Sequence, residues 1–138
     1  MNNLLTTPRA ARALLLILAL VVGFHLLVLT GVIPFGIVWG GRLQSHEQMV
    51  QFETVSIGLN LLMLAVVAAA AGLLRVPLPG LVLKGALWLM TALFLLNTVG
   101  NVLAATALER LLFTPLTLLL AVLSCRLALG TPARAPKA

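Results

Sequence analysis

At 138 residues the chain has the length of a single domain, yet 62% of it is apolar and 9% charged, against roughly half and a quarter in soluble proteins. That exceeds what one small water-soluble core can bury, and it excludes an ordinary soluble globule. The net charge of +6 would suggest nucleic acid, but the nine Lys and Arg are spread singly or in pairs between long apolar runs, without a dense basic face or interleaved aromatics, which excludes a nucleic-acid surface.

A helix needs about 20 apolar residues to cross a bilayer's hydrocarbon core, because unpaired backbone groups cannot face lipid. Residues 1–12 form a tail with Arg9 and Arg12, and the first apolar segment follows from Ala13 to Ile33, stopped by Pro34. It has no small-x-small cleavage pattern and is read as a retained helix rather than a signal peptide. The second helix spans about 45–74. Ser45 followed by Gln48 has the form of a capping box at its start, and Gly72, Arg75, Pro77 and Pro79 end it. The third spans about 81–104. The fourth spans about 107–129, with Thr106 and Glu109 repeating the capping-box form and Gly130 and Pro132 as stop signals. Its Pro115 leaves a second start open, at Thr114, and predicts a bend where the Leu111 carbonyl is freed.

The reading is therefore all-α: a polytopic membrane protein forming one domain over 1–138, an antiparallel bundle of four transmembrane helices. Cytoplasmic segments retain Lys and Arg. Arg9, Arg12, Arg75, Lys84, Arg126, Arg134 and Lys137 fall on one side of such a bundle, and only Arg42 and Arg110 on the other, with all three acids, Glu47, Glu53 and Glu109. This distribution predicts a multi-pass protein of a bacterial inner (plasma) membrane, with both tails, 1–12 and 130–138, in the cytoplasm.

Between helices one and two, residues 33–43 read IPFGIVWGGRL, too short to span and too apolar for an ordinary loop. Segment 33–44 is expected to lie at the outer interface or to re-enter between helices. Trp39 is read as a headgroup-level anchor and Gly36, Gly40 and Gly41 as points of sharp turning.

Polar groups inside a span are costly and are expected to face the bundle or water. Glu53 falls near the outer boundary of helix two, and Asn60 lies about 10 Å deeper on nearly the same face. Asn97 and Asn101 occupy the outer half of helix three. Glu109, Arg110 and Thr114 stand in the first turns of helix four, and His25 lies beyond the middle of helix one. All converge beneath Trp39 and Arg42. Two readings compete. In the first, the asparagines are interhelical hydrogen-bond glue worth about 0.6 to 2 kcal/mol each, and Arg42 or Arg110 pairs with Glu53 or Glu109 to close the outer end. In the second, the same residues line an outward-open polar pocket with Glu53 as a proton- or cation-linked site.

Cys125 is the only cysteine, so no disulfide, dithiol or multi-thiolate metal site forms within one chain. No haem, metal or other cofactor is expected: His25 lacks a second axial ligand at its depth, His46 lying outside the lipid, and is read as hydrogen-bonded. There is no aspartate, no phosphate loop and no paired nucleophile and base, so an enzyme is not expected.

With WGGRL at Trp39 to Leu43, FE at Phe52 and Glu53, NTVGN at Asn97 to Asn101, and ER followed by FTPLT at Phe113 to Thr117, the chain resembles a group of small bacterial four-helix membrane proteins to which no function is attached. The resemblance covers about residues 31–127 and implies a bacterial origin and the same architecture. Small multidrug-resistance exporters share the length and helix number, but their hallmark is a glutamate within the first helix, and this first helix has none. The expected function is a non-enzymatic membrane protein that works through helix contacts, as a homo-oligomer or with a membrane-protein partner. The alternative is a small transporter or binding protein for a polar or cationic solute.

Overall fold

A computed structural model describes residues 7–133, and among them no strand occurs. The tails outside that range, with Arg134 and Lys137 of the charge distribution, lie outside the described residues. Four helices are long and apolar enough to cross a membrane: α1 (Thr7–Leu29), α2 (His46–Ala70), α3 (Gly80–Val102) and α4 (Thr114–Gly130), the last entered through a π-helical turn at Glu109–Phe113.

The ends differ from expectation for physical reasons. α1 begins six residues before Ala13 because Ala10 and Ala11 are needed in the core, while Arg9 and Arg12 stay exposed on the other side of the same turns. It stops at Leu29 rather than at Pro34, where the chain turns through a left-handed Gly31 and the Ile33 amide reaches back to the Leu27 carbonyl. α2 starts beside Ser45, whose hydroxyl accepts the Gln48 amide at 3.2 Å. The Gln48 side chain reaches past the cap residue to the Gln44 amide, so the box closes one residue early. α2 ends at Ala70 rather than 74, wound down by the Leu73 amide bonding the Ala68 carbonyl at 2.8 Å.

At the entry to α4 the two candidate starts are one structure. The Thr114 amide bonds the Glu109 carbonyl five residues back, and this wider turn delivers the chain to Pro115 at the beginning of the regular helix, where a missing N–H costs nothing.

α3 packs most extensively on α4 and α1 on α2, α1 also lies along α4, and the α2–α3 seam is the lightest. At one end, Gly130 meets Thr7 and Gly80 meets the Pro132 carbonyl, approaches that leave no room for a Cβ. The main core joins all four helices through Leu14, Leu18, Val67, Leu87, Leu120 and Leu127, with Phe94 and Met90 closing its rim. A second, smaller core lies at the other end, where Val38 of the connecting segment wedges between Val28 of α1 and Met49 of α2, with Phe24, Ile33 and Phe35 around it. The segment that sequence placed at an interface is therefore a lid packed onto one end of the bundle.

One buried group is out of balance. The Ser124 hydroxyl, fully buried on α4, has no hydrogen-bond partner among the described residues. An unmatched buried hydroxyl costs about 1–3 kcal/mol, and Ala fills nearly the same space. Ser124→Ala is therefore expected to raise stability by about 1 kcal/mol, read as a higher melting temperature in detergent; a lower one would mean that the hydroxyl is engaged.

Candidate functional site

The lid is fastened by the two acids closest to it. Glu53 is fully buried on α2, and both of its oxygens are taken. Oε2 meets His25 Nδ1 of α1 at 2.6 Å, and Oε1 accepts the Trp39 indole N–H at 2.7 Å. The Trp39 ring rests edge-on against Phe52, one residue before Glu53, with centroids 5.0 Å apart.

Glu109 performs the matching task from the π turn. Both of its oxygens lie 2.8 Å from the Gly40 amide, and Oε2 also accepts the Thr106 hydroxyl. Adjacent residues of the lid are thus held by carboxylates from different helices, Trp39 through its side chain and Gly40 through its backbone. Trp39, Gly40 and Gly41 all have positive φ, of 56°, 67° and 70°. For Trp39 this left-handed backbone costs on the order of 1–3 kcal/mol and persists only where surrounding contacts over-determine it. Gly40 adopts it without penalty, and the turn exposes its amide to Glu109.

A short polar ladder continues between α3 and α4. The Thr98 hydroxyl lies 2.9 Å from Thr117 Oγ1, and the Asn101 amide donates to the same atom at 3.3 Å. Thr98 also bonds the Phe94 carbonyl and Thr117 the Phe113 carbonyl, each one turn back. Phe113 stacks edge-on against Phe24 of α1 at 5.0 Å, so the π turn is tied to the first helix as well.

Several expected pairings do not form. Neither Arg42 nor Arg110 bonds Glu53 or Glu109; His25 meets Glu53 instead. Both arginines are exposed, and the Arg42 side chain folds beside Gly40 of its own turn. A guanidinium keeps its hydration there, whereas the buried carboxylates need donors that carry little desolvation penalty, and an indole, a backbone amide and a hydroxyl serve. Asn60 bonds the Ser56 carbonyl of its own helix, and the Thr114 hydroxyl lies 3.3 Å from the Glu109 carbonyl. Asn97 is exposed and joins no cluster. Thr106 and Glu109 do not form a capping box, because the Thr106 hydroxyl is donated to the carboxylate itself.

Sequence reasoning paired Thr106 with Glu109, though as a capping box, and missed Trp39, Gly40, Thr98 and Thr117 as members of this network. A Trp in a short apolar segment was a usable signal, since a buried indole N–H requires an acceptor. Thr98 and Thr117 gave none, because hydroxyls that bond their own helix leave hydropathy almost unchanged.

Glu53 itself is sealed from the surface, at 0% exposure with both oxygens hydrogen-bonded. A groove of about 390 Å³ runs instead between α3 and α4, lined by Thr91, Leu95, Ala121, Val122, Cys125 and Arg126 with Leu129, almost wholly apolar and remote from both acids. For metal or cofactor binding, His25 and Glu53 offer two donors already spent on each other, and no third His, Cys, Asp or Glu joins them among the described residues. Comparison with family models, curated proteins and solved structures finds no match to this chain.

Removing either partner strands the other in the interior, so Glu53→Gln and Trp39→Phe are each expected to lower stability by about 1–3 kcal/mol. In a double-mutant cycle read by denaturation in detergent they should couple by about 1 kcal/mol or more; strict additivity would show that the 2.7 Å contact is not formed.

Proposed function

We propose that this chain is a non-enzymatic multi-pass membrane protein that acts through helix contacts, as an oligomer or as an accessory subunit of a larger membrane complex. The observation that carries the reading is the state of the two buried acids: every oxygen of Glu53 and Glu109 is used to fasten the lid or join helices. A solute site needs unsatisfied polar groups on a reachable surface. Here the oxygens of both buried acids are spent internally and the one groove described is apolar.

In this reading the four helices run antiparallel across a bacterial inner membrane, with both termini in the cytoplasm and the lid on the outer face. Support comes from the cation distribution and from the contacts of Gly130 with Thr7 and of Gly80 with Pro132, which gather the starts of α1 and α3 and the end of α4. Arg42 and Arg110, the cations at the lid end, are then the ones facing outward.

Topology reporters fused to each terminus are expected to report the cytoplasm at both; a periplasmic signal from either overturns the orientation. Function is tested in proteoliposomes containing a pH-sensitive dye, with wild type, Glu53→Gln and protein-free controls under proton and potassium gradients. All three are expected to leak at the same rate, and a flux present in wild type but lost in Glu53→Gln would establish the solute-linked reading instead.

A further inference from the structure

The groove between α3 and α4 combines a shape and a charge that together specify an occupant. Its walls are apolar, and the one hydroxyl among them is already spent: Thr91 donates to the Leu87 carbonyl of its own helix at 2.9 Å. A polar solute finds nothing to bind along it. Its length follows from the helix rise. Gly80, at the start of α3, stands against Pro132 just beyond α4, so depth along both helices can be counted from that end. Leu95 then lies about 22 Å from the end and Leu129 within about 5 Å of it, and the trough between them runs roughly 18 Å. One leaflet of a bilayer's hydrocarbon core is about 15 Å deep. A helix of that length and about 10 Å across would displace on the order of 1,400 Å³, against about 390 Å³ in the groove. A helix would therefore rest on the rim, whereas a single acyl chain lies inside.

The mouth of the groove beside Leu129 is cationic. Arg126 lines it one turn before α4 ends. Lys84 precedes Thr91 by seven residues and Leu95 by eleven, spacings that return to the same face of α3 within about 20°. It therefore stands on the groove side, two turns nearer the mouth than Thr91, and both cations are half-buried. The three acidic side chains of the protein, Glu47, Glu53 and Glu109, all belong to the lid half, so the field at the mouth is positive.

We infer that this groove binds one acyl chain of an anionic phospholipid, with the phosphate held at the mouth by Arg126 and Lys84. Such a lipid is apolar along its length and negative at one end, as the groove requires, and a guanidinium meets a phosphate through two parallel N–H donors. A zwitterionic lipid with the same chains fits the trough equally well but brings its own cation to a positive mouth. The site rests on the four helices crossing a bilayer; it requires neither the contact mode of action nor the orientation proposed above.

The test uses the full-length protein in detergent, given an equimolar mixture of phosphatidylglycerol and phosphatidylcholine with identical chains and read by native mass spectrometry. Wild type is expected to retain phosphatidylglycerol about fivefold or more over phosphatidylcholine, a factor that one well-placed cation supplies. Arg126→Gln should bring the ratio close to one, while Arg126→Lys keeps most of it. Val122→Trp, at a position 46% exposed, fills the trough from its lipid side without entering the core and should abolish selective retention. Arg42→Gln, at the lid end, should leave the ratio as it is. Equal retention of the two lipids by wild type, a preference that survives Arg126→Gln, or selective retention in Val122→Trp overturns the site. If Arg126→Gln fails to fold, the comparison of wild type with Val122→Trp decides. Resistance of the membrane-expressed protein to alkaline carbonate extraction is measured alongside: no preference in a resistant protein removes the lipid site alone, and extraction removes the spanning reading beneath it.

Discussion

The lid end of this protein depends on one constraint: the carboxyl group of Glu53 is fully removed from solvent, and a buried polar group is costly unless its oxygens are matched by hydrogen-bond partners. Two donors meet it, from opposite directions. His25 brings α1 against α2, and Trp39 brings the connecting segment down onto both. The small apolar core of Val28, Val38 and Met49 then closes around a geometry that the polar contacts define. Packing alone would allow that segment several poses. Matching an indole and an imidazole to one carboxylate allows few, which is how a left-handed Trp39 is tolerated.

The π turn does for α4 what Glu53 does for α2. One extra residue in the turn shifts the phase of the helix by about 100°, so that Glu109 points to Gly40 while Thr117, two turns later, meets Thr98 and Asn101 on α3. A regular helix from Ala107 onward would have to choose between these directions. Pro115 makes the wider turn inexpensive, because the amide it lacks is one that the altered register would otherwise leave searching for a partner.

Much of this architecture was legible in the residues. Twenty-odd apolar positions with Gly or Pro punctuation announce a spanning helix, and the four segments lie where that rule places them, with ends displaced by four to six residues where a core alanine or a left-handed glycine decides instead. The gathering of Glu53, His25, Glu109 and Asn101 at one end was also readable, from depth along each helix. Their partners were not. Opposite formal charge suggests arginine to any reader, yet Arg42 and Arg110 stay exposed while an imidazole, an indole, a backbone amide and a hydroxyl do the matching. Desolvation, which decides that contest, is a property of the folded surroundings and has no signature in spacing. Asn97 shows the converse: helix phase places it on the rim of the buried face, and only the packed structure shows that it is exposed.

The distance in sequence between the two fastenings of the lid gives the fold an order in time. Trp39 finds Glu53 14 residues on and His25 lies 28 before it, so the first hairpin holds everything needed for one fastening. Gly40 waits for Glu109, 69 residues away, at the threshold of the last helix. A chain emerging N-terminus first therefore carries a half-fastened lid through most of its synthesis, and the second carboxylate arrives with the final hydrophobic segment. Closure of that amide is a completion mark: a product stalled after α3 keeps its first hairpin but leaves the backbone of Gly40 unclaimed, a difference that membrane quality control could read without inspecting the helices themselves.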